Sequence, residues 1–149
     1  MLKRLREFLA VKLAANFTTT ATAAAATALT FSIGANEVWW VQVQATAQCS
    51  GTGGSKYAVA APAGATIEGW IYSSTTAITT FSYQRLTAIS TLNLTALHTV
   101  AITPAPDVLT FVVTNGATAG AVTIQGASVT SGQTTTIFAG SGLHAVRIA

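Results

Sequence analysis

Residues 49–62 read CSGTGGSKYAVAAP, and three glycines stand there ahead of Lys56. Glycines followed by a lysine are the raw material of a phosphate cradle. That cradle needs Gly-x-x-x-x-Gly-Lys-Ser/Thr at the start of a helix, where backbone N–H groups and the lysine hold phosphate. Here Lys56 follows Ser55 rather than glycine, and Tyr57 stands where a hydroxyl would hold magnesium. The run beyond it is β-prone and ends at Pro62. The stretch therefore reads as a wide hairpin loop, with Gly51, Gly53 and Gly54 supplying positive φ.

The other residues able to do chemistry are few. His98 and His144 lie far apart with no partner motif around either. Glu37, Glu68 and Asp107 are the only carboxylates after residue 15, and no spacing pairs them for acid–base work. Ser141, in AGSGLH, resembles part of a nucleophile elbow, but the glycines that motif needs two positions either side are Ala139 and Leu143 here. Cys49 is the single cysteine, so it closes no disulfide within the chain and matches no zinc spacing. Asn16-Phe17-Thr18 and Asn93-Leu94-Thr95 fit the glycosylation sequon, which arises readily by chance in a threonine-rich chain. These residues predict a protein that is not an enzyme, with no cofactor and no metal.

The elements that must position these residues are mostly strands. From Leu29 onward the apolar period is two. In VQVQATAQ, Val41, Val43, Ala45 and Ala47 face one way and Gln42, Gln44, Thr46 and Gln48 the other. KYAVAA, TIEGWIY, ITTFSYQRLTAI, HTVAIT, VLTFVVT, AVTIQGA, TTTIF and LHAVRI follow, separated by turn signals such as TPAPD, TNGATAG, TSGQ and AGSG. This predicts an all-β fold: a jelly-roll-like antiparallel β-sandwich over residues 29–149. Residues 1–15 read differently. Leu2, Leu5, Leu9 and Leu13 follow helical spacing, flanked by Arg6 and Lys12, with Phe8 and Val11 off the stripe. They predict an N-terminal docking helix. Residues 16–28, rich in Thr and Ala, predict an extended linker.

Composition narrows the class of partner. Only 7% of residues are charged, against roughly 25% in ordinary soluble proteins. So few charges leave a poorly hydrated surface, which favours coverage by copies of itself or by another protein. Lys3, Arg4, Arg6 and Lys12 outnumber Glu7 in the first fifteen residues, whereas the rest balances Lys56, Arg85 and Arg147 against three carboxylates. The basic character belongs to the arm, and the body offers no basic groove for nucleic acid. No run is long and apolar enough for a membrane helix, and Lys12 interrupts the one that resembles a signal peptide. Trp39 and Trp40 point to opposite faces of one strand, so one ring belongs to the core and the other must meet something. Trp70 and Tyr72, two apart, share a face. A subunit interface, plain core and a sugar platform all remain open for them.

Several phrases together carry a resemblance. They are Asn36, Glu37 and Trp39 in the early strand, Pro62 and Gly64 in PAGA, and Asn115, Gly116 and Gly120 ahead of a strand bearing Gln125. Gly140, Ser141 and Arg147 close the set. From about Leu29 to the C-terminus the chain resembles a small β-sandwich family of tailed-bacteriophage virion proteins, known as minor structural, head decoration or tail-fibre proteins. The resemblance implies a non-enzymatic virion structural protein that oligomerises on a virus particle, and it implies no active site.

The expectation is then a capsid decoration (cement) protein on the capsid exterior, made in the host cytoplasm without a signal peptide. It would be a homo-oligomer, a trimer at local threefold positions. Arg4, Leu5, Arg6, Leu9, Lys12 and Leu13 would dock it to the major capsid protein, and Trp39, Trp40, Trp70 and Tyr72 are the candidate oligomer or glycan contacts. No nucleic acid or membrane partner is expected. The alternative is a tail or head fibre component, partnered by tail proteins, that binds a host surface glycan.

Overall fold

A computed structural model describes residues 7–51, 53–74, 81–92 and 104–149. Eleven strands span them: β1 (Phe8–Lys12), β2 (Phe17–Thr19), β3 (Ala25–Ile33), β4 (Val38–Cys49), β5 (Ser55–Ala60), β6 (Thr66–Ser74), β7 (Phe81–Leu86), β8 (Ala105–Thr114), β9 (Gly120–Ser128), β10 (Thr135–Ile137) and β11 (Gly142–Arg147). The HTVAIT run, expected as a strand, lies outside the described residues.

Strand β4 shows why these residues pair. Val41, Val43, Ala45, Ala47 and Cys49 are all buried, and the glutamines between them turn outward. Successive side chains of a strand point to opposite faces, so this alternation leaves one dry face and one wet one.

All strand pairs are antiparallel and form two sheets. The larger has the order β1-β11-β4-β8-β6-β7, with β10 also on β4 and β2 on β10. The smaller is β3-β9-β5. Their inner faces share one core, which includes Leu29, Phe31, Trp39, Val43, Tyr57, Ile71, Leu109, Phe111 and Ile124. Across it Phe31 and Trp39 meet at 5.4 Å between ring centres. The chain is an antiparallel β-sandwich.

The first residues depart from expectation. No helix occurs among the described residues, and β1 lies where the docking helix was predicted, paired residue for residue with β11. The reason lies in the leucine spacing. Leu5, Leu9 and Leu13 are four apart, which keeps one face of a helix but, four being even, also keeps one face of a strand. Val11 sits off the helical stripe yet on that strand face, and β1 alternates accordingly: Leu9 and Val11 are half-buried, while Phe8, Ala10 and Lys12 are exposed. Leu13 is fully in the core. Its N–H donates to the Ser141 carbonyl and its carbonyl accepts from Gly140 N–H, which carries the ladder past the end of β1. Leu9 and Leu13 are thus part of the sandwich and are not free to fill a partner's groove. Arg4, Leu5 and Arg6 lie outside the described residues. The 16–28 tract is extended, and it contains β2 and the start of β3.

Tight strand contact explains one glycine. A Cβ on Gly69, in the middle of β6, would run into the Thr110 carbonyl and Phe111 on β8. Gly69→Ala should cost about 1–3 kcal/mol, as overpacking does, read as a lower denaturant midpoint with an unchanged m-value.

Candidate functional site

Most of the residues that carry the resemblance converge at one end of the sandwich, while Gly140 and Ser141 lie at another corner. Between β3 and β4 the chain turns through Asn36, which takes φ 57°, a left-handed conformation that asparagine tolerates well. The turn is clamped from both sides. Asn36 N–H donates to the Gly116 carbonyl at 2.8 Å, and Asn115 N–H to the Glu37 carbonyl at 2.9 Å. The Asn115 amide donates to the carbonyls of Gly34 and Thr118 at 2.7 and 2.8 Å. The backbone of Gly64 comes close enough to Gly116 to crowd a Cβ there, and Pro62 does the same at Gly120.

Glu37 is the centre of this end. Its Oε2 accepts from the Gly34 N–H at 2.7 Å and the Trp39 indole N–H at 2.9 Å, and its Oε1 pairs with Arg147 at 2.7 Å. The indole donor, with Gly34 and Arg147 behind it, holds the carboxyl below its ordinary value despite the opposing effect of burial. Trp39 itself is 1% exposed. It was a candidate surface contact, and the structure corrects this: its ring fills the core, so it meets no partner. The second end of the motif set is equally structural. Ser141 Oγ accepts from Thr46 N–H at 3.0 Å, and Gly140 takes φ 94°. Asn16 Oδ1 accepts from Ala139 N–H at 2.8 Å, closing the same corner.

The glycine-rich loop also differs from its expected form. It joins β4 to β5, which lie in different sheets, so it is a crossover and not a hairpin. Of its three glycines, Gly54 alone has positive φ. Gly53 instead lets Gln133 approach: its N–H donates to Gln133 Oε1 at 2.6 Å, and Thr130 and Gln133 fill the space a Cβ would need. Cys49 is buried beside the same Gln133.

The three carboxylates are separated. Glu37 holds the turn, and Glu68 pairs with Arg85 at 2.7 Å on the surface. Asp107 is fully buried on β8, where it accepts from Tyr57 Oη at 2.7 Å and from the Ser73 hydroxyl. Tyr57 belongs to the opposite sheet, so this bond ties the two sheets together. Burial, then the Asp107 charge and its hydrogen bond, push the Tyr57 phenol well above its ordinary value. His144 lies on β11 against Phe8, and His98 is outside the described residues. No cluster of three metal-ligating residues occurs among the described residues.

The remaining feature is the outer face of the larger sheet. Register places Trp70 opposite Thr110 and Arg85, and Tyr72 opposite Val108 and Tyr83. Tyr72 stacks on Phe81 at 5.0 Å and tilts against Tyr83 at 4.9 Å. Trp70 is 54% exposed and Tyr83 72%. Trp70, Tyr72, Tyr83, Val108 and Thr110 line an open groove of about 480 Å³. Trp40 lies half-buried on this same face, between Val112 and Val146. Of the four tryptophan and tyrosine candidates, the structure brings Trp70 and Tyr72 together and places Trp40 two strands away. Sequence reasoning missed Phe81 and Tyr83. Their alternation within FSYQR, matching that of Trp70 and Tyr72, was the available signal.

No family model and no curated protein sequence matches the chain. Similar solved structures include that of the infectious bursal disease virus Gx strain, at 12% identity and TM-score 0.26, covering 97% of this chain and 36% of that one. The VP2 subviral particle of the same virus gives 12% identity and TM-score 0.26, covering 98% and 38%. The chain thus spans well under half the length of these viral chains. Scores this low transfer neither topology nor function.

Proposed function

We propose that this chain is a non-enzymatic structural protein of a bacteriophage virion, a decoration (cement) protein that oligomerises on the outer shell. The observation that carries the reading is the exposed aromatic face of β6, β7 and β8 in a chain with only 7% charged residues. A face of this kind marks an interaction surface. The motif residues support it too, since each has a structural partner at a turn or corner. The order β4-β8-β6-β7 facing β3-β9-β5 supports the jelly-roll form, with β1, β2, β10 and β11 added beside β4.

Attachment to the shell rests on residues ahead of β1, where Arg4 and Arg6 stand. Deleting residues 1–28 would strip β1, β2 and Leu13 from the sandwich, so the arm is tested by deleting 1–6 alone. On purified particles the expected result is many copies spread over the shell, and release of an intact oligomer when 1–6 is removed. A few copies confined to the tail would replace this reading with the glycan-binding fibre. Absence from particles would end both.

A further inference from the structure

We propose that the outer face of the larger sheet, centred on Trp70 and Tyr83, is where a second copy of this chain docks, face to face about a two-fold axis. This deepens the oligomer part of the function proposed above.

Area is the first argument. With aromatic side chains of roughly 150–250 Å² each, Trp70, Phe81 and Tyr83 at their observed exposures leave on the order of 350 Å² in water. A stable pair buries about 800 Å² per partner. The same face continues through Val112, Trp40 and Val146 to Phe8, which is 60% exposed, and so supplies surface toward the remainder.

Charge is the second. Beside Trp70 stand one anion and one cation, Glu68 and Arg85, both more than half exposed. A two-fold axis near Trp70 brings the Glu68 of one copy to the Arg85 of the other, so the charged edge of the patch is complementary to itself. Such edge charges set register and partner choice. The chemistry of the groove argues the same way. Its lining is Trp70, Tyr72, Tyr83, Val108 and Thr110, whose polar atoms are the ring tips and one hydroxyl on an otherwise apolar surface. A glycan needs several directed hydrogen-bond partners around a ring, whereas a second apolar face does not.

The test uses the purified full chain in solution, without particles, so its failure is distinct from failure of the virion reading. Sedimentation equilibrium should show a dimer. Trp70→Ser combined with Tyr83→Ser should weaken dimerisation about tenfold or more while leaving the thermal midpoint of the monomer close to that of the parent. Glu68→Arg and Arg85→Glu, made in separate chains, should each weaken self-association, and mixing the two chains should restore pairing as a heterodimer. That second pair keeps the test alive if the serine variant does not fold. A parent chain that stays monomeric overturns the proposal. So does an oligomer, trimer included, that survives these substitutions. Binding to a glycan array that the serine variant loses, with its association state unchanged, assigns the face to sugar instead.

Discussion

Asp107→Ala should be among the most damaging single changes in the sandwich, lowering stability by about 2–4 kcal/mol, the combined loss expected when two buried hydrogen bonds lose their shared acceptor. Asp107 is fully buried and receives hydroxyls from both sheets, Tyr57 from β5 and Ser73 from β6. Removing it takes away the acceptor that joins the two sheets, although the Ser73 hydroxyl also reaches the Ser74 carbonyl at 3.0 Å. For a chain of 149 residues each kcal/mol shifts the thermal midpoint by about 2–4 °C, so a fall on the order of 10 °C is expected by calorimetry. Tyr57→Phe should cost less, about 1–3 kcal/mol. A double-mutant cycle should then show strong non-additivity, because both changes act on one bond. A shift under 2 °C for Asp107→Ala would mean that the cross-sheet bond contributes little. Tyr57 adds a pH signature. Its folded value is raised, so its contribution is full below the ordinary tyrosine value and is lost as pH climbs through the folded one. Stability of the parent should fall on the alkaline side, and that fall should be smaller in Tyr57→Phe.

Glu37→Gln should separate the end that bears the motifs from the rest. Glutamine can still accept from Gly34 and Trp39 but loses the Arg147 charge pair. Glu37→Ala loses everything and strands the buried indole N–H. Expected costs are about 1 kcal/mol for Gln and 2–3 kcal/mol for Ala, since an unpaired buried donor bears its full desolvation penalty. The folded value of this carboxyl is depressed, so its stabilisation is present above the ordinary carboxylate range and is lost as pH falls through the lowered value. Denaturant midpoints between neutral and acid pH should therefore decline more steeply in the parent than in Glu37→Gln. Equal acid slopes would show that Glu37 gains nothing from its three partners.

Much of this fold could be read residue by residue, and the failures have a common form. Strand β4 was legible because Val41, Val43, Ala45 and Ala47 alternate with polar neighbours, and only a strand buries such a set. Strand β1 was not, because leucines four apart suit both a helix and a strand. What decides between them is the β11 backbone, more than a hundred residues away, offering a ladder to Phe8–Lys12. The glycine-rich loop failed in the same way. Its residues mark a turn, but whether β5 returns beside β4 or crosses to the other sheet depends on β9 pairing with β5.

The site was half legible. Trp70 and Tyr72 were placed on one face by their spacing, and that Trp39 and Trp40 must point apart followed from adjacency. Which of the two is inside did not follow, and it is Trp39, held through its indole by Glu37. The gathering of Asn36, Glu37, Asn115 and Arg147 at one end, and the bond from Tyr57 to Asp107, join residues far apart in the chain. By itself the sequence determined the period, the turns, the near absence of charge and the poverty of chemical groups, all of which are local or additive properties. Which face each strand buries against, which edge each one finds and which polar groups meet in the core were decided only by the tertiary structure. Those choices depend on hydrogen bonds and packing between distant segments, and no local pattern encodes a distant partner's identity.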